Sequence, residues 1–409
     1  MRRTSGEDAV VVPAGHGGSS LACLRSLGRQ GVRTIGVAAT ADAPAFASKY
    51  CDETGLVPPA SADLRAYGDA LLDLAARPDV VTFAPLYEPD SYVLSKRRAE
   101  FAEHVATPWP SFETVQLAQD RLALVERARE VGVATPDTAL VDEWDDWDRP
   151  TVVKPRYSIV VSDGRASYPD VHVFGPGERP DVDALVAEMG HVPIAQSFVP
   201  GEFECGFFGL YDRGEPVATF QHRRVRSYTY SGGASVFRKS MADPALQRAG
   251  TDLLAALDWH GPAMVEMKRD PRNGRYTLVE VNPRFWGSLP LAVHAGVDFP
   301  HLYYRLATGG VDRPVFEYDV DVGCHVLRGE ASYLHSVARY DLDHVERPGL
   351  LAATADVLGS LVRHRRFDYL SLDDPGPFLG DLRSVVAPLV RSVAVPAVDP
   401  EPPVENRQA

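Results

Sequence analysis

The chain has 409 residues, too many for one hydrophobic core, so roughly two to four domains are expected. Its formal charge is −14, and an acidic surface excludes nucleic acid as the main partner, because phosphate backbones are met by a basic stripe. No run of about 18 apolar residues suggests a membrane span, and Cys23, Cys51, Cys205 and Cys324 are too scattered for a disulfide framework or a zinc site. The start, MRRTSGEDAV, lacks an apolar run behind its charges, so a signal peptide is not expected and a cytoplasmic protein is.

In chain order, a buried strand from Ala9 to Val12 runs into the turn Gly15-His16-Gly17-Gly18. A helix follows with Leu21, Leu24 and Leu27 on one side; Gly31 ends it and a strand from Thr34 to Ala38 comes next. This is a Rossmann-type βαβ unit. A helix from Leu64 to Ala76 precedes a strand from Val80 to Phe83, and Pro85 to Pro89 turns at its carboxyl end, where ligands sit in open α/β sheets. Pro108 and Pro110 mark a boundary. Ser111 then caps one helix, and a second runs from Asp120 to Val131. Strands are expected at VATPDTALV, TVVKPRYSIVV and Ile194 to Val199. Two hairpins follow, turning at Asp212-Arg213-Gly214 and at Asn273-Gly274, with a helix over 245–258 between them. Helices are expected to about residue 330 and again beyond it, including a short packed helix from Leu382 to Val398. The Pro-rich acidic end is expected to be disordered.

The second hairpin carries the strongest chemical signal. Alternation puts Glu280 and Asn282 on one face, and the hairpin brings Glu266 opposite Glu280. Two carboxylates and an amide oxygen make a hard, oxygen-only site that suits Mg²⁺. Their neighbours Met264, Val265, Leu278, Val279 and Val281 are apolar, so the carboxylates need a compensating cation. The chain has only five lysines among its 42 basic residues, and one of them, Lys154, ends an apolar strand where its charge needs an anionic partner.

The segment VEMKRD…GRYTLVEVNPRFWGSLPLAVHAGVDFP resembles the metal-binding end of the ATP-grasp superfamily, whose hallmark is a carboxylate on one strand and Glu-x-Asn-Pro-Arg on the next. The similarity extends over roughly residues 9 to 310 and is nearest to the ATP-dependent carboxylate–amine ligase (carboligase) group. It implies an α/β and α+β multidomain fold. A Rossmann-like pre-ATP-grasp domain (1–108) would precede a small ATP-grasp subdomain with its leading helices (109–200), a large subdomain with the metal site (201–330), and a helical C-terminal extension with a disordered tail (331–409). It also implies Glu266, Glu280 and Asn282 as ligands of Mg²⁺ (or Mn²⁺), and Arg121, Lys154, Gln196, Phe198, Val199 and Glu202 as ATP contacts, with Glu204 the other ribose candidate. Lys154 and Arg284 would be the catalytic cations. Arg224, Arg226 and the Ser231-Gly232-Gly233 turn form the acceptor side, since arginines hold carboxylates and transferring phosphoryl groups.

The implied reaction activates a carboxylate as an acyl phosphate for attack by an amine, releasing ADP and phosphate. The small-molecule partners are thus a carboxylate and an amine, with a homodimer left open. A bicarbonate-using carboxylase and a non-catalytic ATP-binding module are the alternatives. An NAD-dependent oxidoreductase is disfavoured, because Ser20 stands where the dinucleotide fingerprint needs its third glycine. The segment from Arg156 to Gly164 departs from the family in having one glycine where a phosphate-covering loop often has several.

Overall fold

The computed structural model describes residues 8–15, 17–201, 203–311, 313–340 and 346–383. The expected features at His16, Glu202, residues 384–398 and the acidic end lie outside them.

The N-terminal part is a parallel sheet in the order β3-β2-β1-β4, built from β1 (Ala9–Pro13), β2 (Arg33–Ala38), β3 (Glu53–Leu56) and β4 (Val80–Phe83). β3 has no apolar run and was not expected; its residues alternate between half-buried and exposed at the sheet edge. Every residue of β1 is buried, as a central parallel strand covered on both faces requires. Helices α1 (Gly18–Arg29), α2 (Leu64–Ala75), α3 (Glu88–Lys96) and α4 (Arg98–Ala102) complete this part.

Two helices follow, α5 (Phe112–Gln119) and α6 (Arg121–Glu130), capped by Ser111 and Asp120 as the side-chain pattern predicts. The small antiparallel sheet has the order β5-β10-β6-β9: β5 (Thr138–Leu140), β6 (Thr151–Lys154), β9 (His172–Phe174) and β10 (Ile194–Ser197). Between β6 and β9 lies a separate hairpin, β7 (Val160–Ser162) with β8 (Arg165–Ser167), and α7 (Val182–Met189) covers the sheet. A six-stranded antiparallel sheet forms the body, ordered β15-β14-β11-β12-β13-β16. Its strands are β11 (Phe203–Asp212), β12 (Glu215–Thr229), β13 (Gly232–Ser240), β14 (Gly261–Arg269), β15 (Tyr276–Asn282) and β16 (Gly323–His325). Helices α8 (Pro244–Ala256), α9 (Leu289–His294), α10 (Phe299–Ala307), α11 (Leu327–Arg339) and α12 (Leu350–Arg363) pack around it. β16 falls where helix alone was expected: a three-residue strand is too short to show alternation.

Packing ties these parts together unequally. Val10, Val12 and Leu21 of the N-terminal part share one core with Phe208, Phe220, Trp286 and Phe299 of the body. On the other face of the large sheet, Ala118, Leu124 and Ala128 of α5 and α6 join Phe207, Leu253 and Val265. The small sheet keeps a core of its own around Trp147, Val153, Leu185 and Met189. Residues 198–201 lead from this small sheet into the large one.

Gly261 opens β14 at φ +92°, and a Cβ there would lie 2.5 Å from the Pro108 carbonyl oxygen and 2.8 Å from the Trp109 Cα. Both obstacles are backbone, so Gly261→Ala is expected to cost about 1–3 kcal/mol. The check is the urea midpoint, and an unchanged midpoint would mean that the 108–109 linker yields freely.

Candidate functional site

The site is built on β14 and β15. Regular pairing from the Asn273-Gly274 turn runs Arg269 with Tyr276, Lys268 with Thr277 and Met267 with Leu278. It would next set Glu266 against Val279. A bulge adds one residue to β15 here, so Glu266 stands opposite Glu280 and Val265 opposite Val281. Without the bulge, the alternation that buries Leu278 in the core with α5, α6 and α8 would send Glu280 into the same core.

The carboxylates then meet a ring of polar groups. Asn282 Nδ2 donates to Glu280 Oε1 at 3.0 Å, and Arg284 Nη2 donates to Asn282 Oδ1 at 3.1 Å. Arg121, at the N-terminus of α6, lies 3.4 Å from Glu280 Oε2 and donates to the Pro155 carbonyl at 2.8 Å. Arg224 of β12 lies 3.3 Å from Glu266 Oε1, contacts Glu204 closely and donates to the Gly233 carbonyl at 2.9 Å. Lys268 Nζ lies 3.3 Å from the other side of Glu204.

Burial, with Glu280 adding to it, pushes the Glu266 carboxyl up against the pull of Arg224. Burial pushes Glu280 up as well, but Arg121, the Asn282 hydrogen bond, Lys154 and Arg284 outweigh it and hold Glu280 below the ordinary range. Lys154, at the end of β6 in the small sheet, is 8 % exposed. Burial and then Arg121 bring its ammonium down to about 7, opposed by Glu280 and Glu266. A lysine from one sheet thus feels both carboxylates of the other.

Among the described residues no three Asp, Glu, His or Cys side chains converge as a metal cage. The donors here are two carboxylates and an amide. An oxygen-only set on one face, with one carboxylate raised by burial and by its neighbour, fits Mg²⁺.

The remaining expected residues divide. Gln196 faces Thr138, donating at 2.9 Å, and Phe198 and Val199 line a cleft of about 530 Å³ with Pro136, Arg149 and Arg275. None of Lys154, Glu266 and Glu280 lines that cleft. Ser231 lies in the turn before β13 and meets Thr229, while Gly232 and Gly233 carry the chain back toward Arg224. Arg226 is not brought to the cluster. The pairing of β12 with β13 shifts between Arg224 and Arg226, and Arg226 turns to Glu330, Asp356 and Ser360 on α11 and α12. The glycine-poor segment is the β7–β8 hairpin. It docks on the N-terminal part, where Gly164 accepts a hydrogen bond from the Leu64 N–H at 2.8 Å and Val161 and Ala166 pack on that core.

Sequence reasoning missed Glu88. This carboxylate, at the start of α3, accepts from Arg284 Nε at 2.8 Å and from Gln119 Nε2 at 3.2 Å, joining three elements at one point. The signal was its place in the turn at the carboxyl end of β4. That turn is held by Asp90, which accepts from the Tyr67 hydroxyl and the N–H groups of Leu86 and Tyr87 at 2.7, 3.0 and 2.9 Å.

Burial raises the Asp90 carboxyl from 3.8 to about 6, with Arg284 among the groups opposing the rise. Between those pH values the folded chain holds a proton that the unfolded chain has lost. Its contribution to stability is therefore present below about 3.8 and declines as pH rises to about 6. The urea midpoint of the wild type minus that of Asp90→Asn should fall across that interval; a flat difference would uncouple Asp90 from folding.

No protein-family model matches the sequence, and no curated protein does. Solved structures do resemble the chain. One is the biotin carboxylase domain of Hydrogenobacter thermophilus 2-oxoglutarate carboxylase in complex with MgADP, ADP and bicarbonate. Its TM-score is 0.60 at 14 % identity, over 78 % of this chain and 74 % of that one. Another is the N5-carboxyaminoimidazole synthetase of Staphylococcus aureus complexed with ADP, with TM-score 0.58 at 15 % identity over 79 % and 82 %. A third is the biotin carboxylase of Campylobacter jejuni, with TM-score 0.56 at 15 % identity over 77 % and 74 %.

Proposed function

From the premise that this chain has the ATP-grasp fold, we infer that it is an ATP- and Mg²⁺-dependent ligase, one that activates a carboxylate as an acyl phosphate and passes the acyl group to an amine. The observation that carries this reading is the convergence of Glu266, Glu280 and Asn282 on one face of the large sheet, with buried Lys154 acting on both carboxylates from the small sheet.

In this reading Glu266, Glu280 and Asn282 hold Mg²⁺ (or Mn²⁺), which neutralises phosphate oxygens when bound. ATP lies between the two sheets, its base toward Gln196, Phe198 and Val199 and its phosphates toward Arg121 and Lys154. A carboxylate oxygen attacks the γ-phosphorus as the bond to the bridging oxygen breaks and ADP leaves. Lys154 and Arg284 hold the transferring group in line, and Arg224 with the Ser231-Gly232-Gly233 turn bounds the acceptor side. Catalysis here is positioning and charge neutralisation, so no nucleophilic Ser or Cys is required. Glu88 fixes the guanidinium of Arg284 from the N-terminal part.

Bicarbonate as the carboxylate is the second reading, favoured by the bicarbonate in the Hydrogenobacter complex. Among the described residues no helix is long and apolar enough to cross a membrane, which fits small-molecule chemistry in water.

The test is ADP release with Mg²⁺-ATP and pooled carboxylates, amines and bicarbonate. ADP that depends on a carboxylate and an amine together supports the ligase reading, and ADP that depends on bicarbonate alone supports the second. ATP should also raise the melting temperature in the presence of Mg²⁺ where NAD does not. No stabilisation by Mg²⁺-ATP would end both readings.

A further inference from the structure

The ladder between β12 and β13 is irregular at its far end. Its register shifts between Arg224 and Arg226, between Arg226 and Ser227, and between Ser227 and Thr229. The chain then turns into Gly232 and Gly233, at φ +139° and +98°, a region that favours glycine. Thr229 Oγ1 donates to the Gly232 carbonyl at 2.8 Å, which shapes the turn without fixing it in place. A Cβ on either glycine would meet no atom of the described residues within 4 Å, so packing does not fix the turn there either.

Helix α11 supplies what the ladder lacks. Gly329 lets it lie against the hairpin: a Cβ there would stand 2.2 Å from Val236 and 3.2 Å from Tyr228. One anchor is Arg226, which meets Glu330 at 2.9 and 3.0 Å, both side chains being 4 % exposed. The other anchor is the turn itself. The Tyr230 N–H donates to Ser336 Oγ at 3.1 Å, and the Tyr230 hydroxyl donates to the Tyr340 carbonyl at 3.2 Å. Ser336 is buried, and its own hydroxyl donates to the Tyr333 carbonyl at 2.8 Å. That bond orients the oxygen and leaves its lone pairs for the Tyr230 N–H.

Toward the site, the turn presents the Gly233 carbonyl, which accepts from Arg224 Nη1 at 2.9 Å. The other acceptors of Arg224 are Glu204 and Glu266. Lys268 shares Glu204 at 3.3 Å, and in the ligase reading Glu266 is committed to the metal. The Gly233 carbonyl is the neutral acceptor of the three, and it is left to fix where the guanidinium points.

Resting on the ligase reading, we propose that Ser336 is a positioning residue for the carboxylate substrate. By holding the Tyr230 N–H it sets the 229–233 turn. The turn places the Gly233 carbonyl, and that carbonyl aims Arg224 at the substrate carboxylate. Helix α11 of the carboxyl-terminal extension thus serves the acceptor side through a chain of three hydrogen-bonded links.

The experiment compares wild type, Ser336→Ala, Ser336→Thr, Tyr230→Phe, Arg224→Met and the Ser336→Ala/Arg224→Met double variant. ADP release is followed as the carboxylate pool is diluted at saturating Mg²⁺-ATP and amine pool, and then as Mg²⁺-ATP is diluted. Ser336→Ala should raise the half-saturating carboxylate about 5–20-fold, the weight of one hydrogen bond, with the maximal rate and half-saturating Mg²⁺-ATP within about twofold. Ser336→Thr keeps the oxygen and its bond to the helix carbonyl and should restore wild-type saturation. Tyr230→Phe gives up the Tyr340 contact and should shift carboxylate saturation less, in the same direction. In the Arg224→Met background Ser336→Ala should add no further shift, because the residue it acts through is gone. Should Ser336→Ala fail to fold, Tyr230→Phe decides: a carboxylate shift supports the proposal and none overturns it. An unchanged carboxylate half-saturation in Ser336→Ala, an equal loss for Mg²⁺-ATP, or an additive shift in the double variant overturns the proposal and leaves the ligase reading standing. A wild-type chain that releases no ADP with any pool overturns both.

Discussion

Glu280→Gln is expected to lower carboxylate-dependent ADP release by about 10²–10³-fold, the range for removing a fixed charge from a site where charge develops, and to leave the fold standing. Glutamine keeps an oxygen to accept from Asn282 Nδ2, so the 3.0 Å bond survives. Arg121 keeps the Pro155 carbonyl at 2.8 Å. What disappears is the negative charge that Arg121, Lys154 and Arg284 stabilise, and with it, on the proposed reading, a ligand for the metal. Glu266→Gln should be equally inactive but should differ in stability. Burial and Glu280 disfavour the charged form of Glu266, so neutralising it relieves repulsion, whereas neutralising Glu280 leaves three cations less well matched. The measurements are ADP release, the Mg²⁺ dependence of thermal stabilisation by ATP, and the urea midpoint of each variant. A Glu280→Gln enzyme that kept more than about a tenth of its activity would show that the carboxylate does not hold the metal.

The hairpin carrying those carboxylates was legible because its turn, Asn273-Gly274, is a strong local signal and its strands are long. The pairing of Glu266 with Glu280 was read from it too and is the one observed, but the bulge that produces it was not legible. Pairing outward from the turn aligns Glu266 with Val279 until a bulge is allowed, and the structure has one at Val279. The bulge leaves Leu278 and Val281 both in the core that α5, α6 and α8 line, contacts that no local pattern contains. The same limit explains Arg226. Alternation along Arg224-Val225-Arg226 puts both arginines on one face, but the irregular pairing of β12 with β13 separates them, one to Glu266 and the other to Glu330. Glu88 lay beyond the motifs for a different reason. It meets a partner distant in sequence, Arg284, and such a pair becomes visible only when the N-terminal part and the large sheet share a core.

The carboxyl-terminal segment had no expected role, and its anchoring now yields the largest expected change in stability. Residues 366–374 cross from β16 to α1. Arg25 donates to the carbonyls of Asp368 and Tyr369 at 2.9 and 2.8 Å and to Asp374 at 2.9 Å, and Asp374 accepts from Ser48 and from the Lys49 N–H. On the sheet side, Asp368 pairs with Arg238 at 2.5 Å, with exposures of 2 % and 1 % for the two side chains, and accepts from Cys324 at 3.2 Å. Among the described residues Arg238 Nε has no partner, so Asp368 is the counter-charge on which the guanidinium depends. Asp368→Ala strands that charge in the interior and is expected to cost about 3–5 kcal/mol. Replacing both ends tests whether the pair or its imbalance matters. In an Arg238→Met background the same Asp368→Ala change should cost far less, because no buried charge is left unmatched. Urea midpoints of the four chains give the cycle. Equal costs of Asp368→Ala in both backgrounds would mean that the segment is held by Arg25 and packing, and that the buried ion pair adds nothing to its attachment.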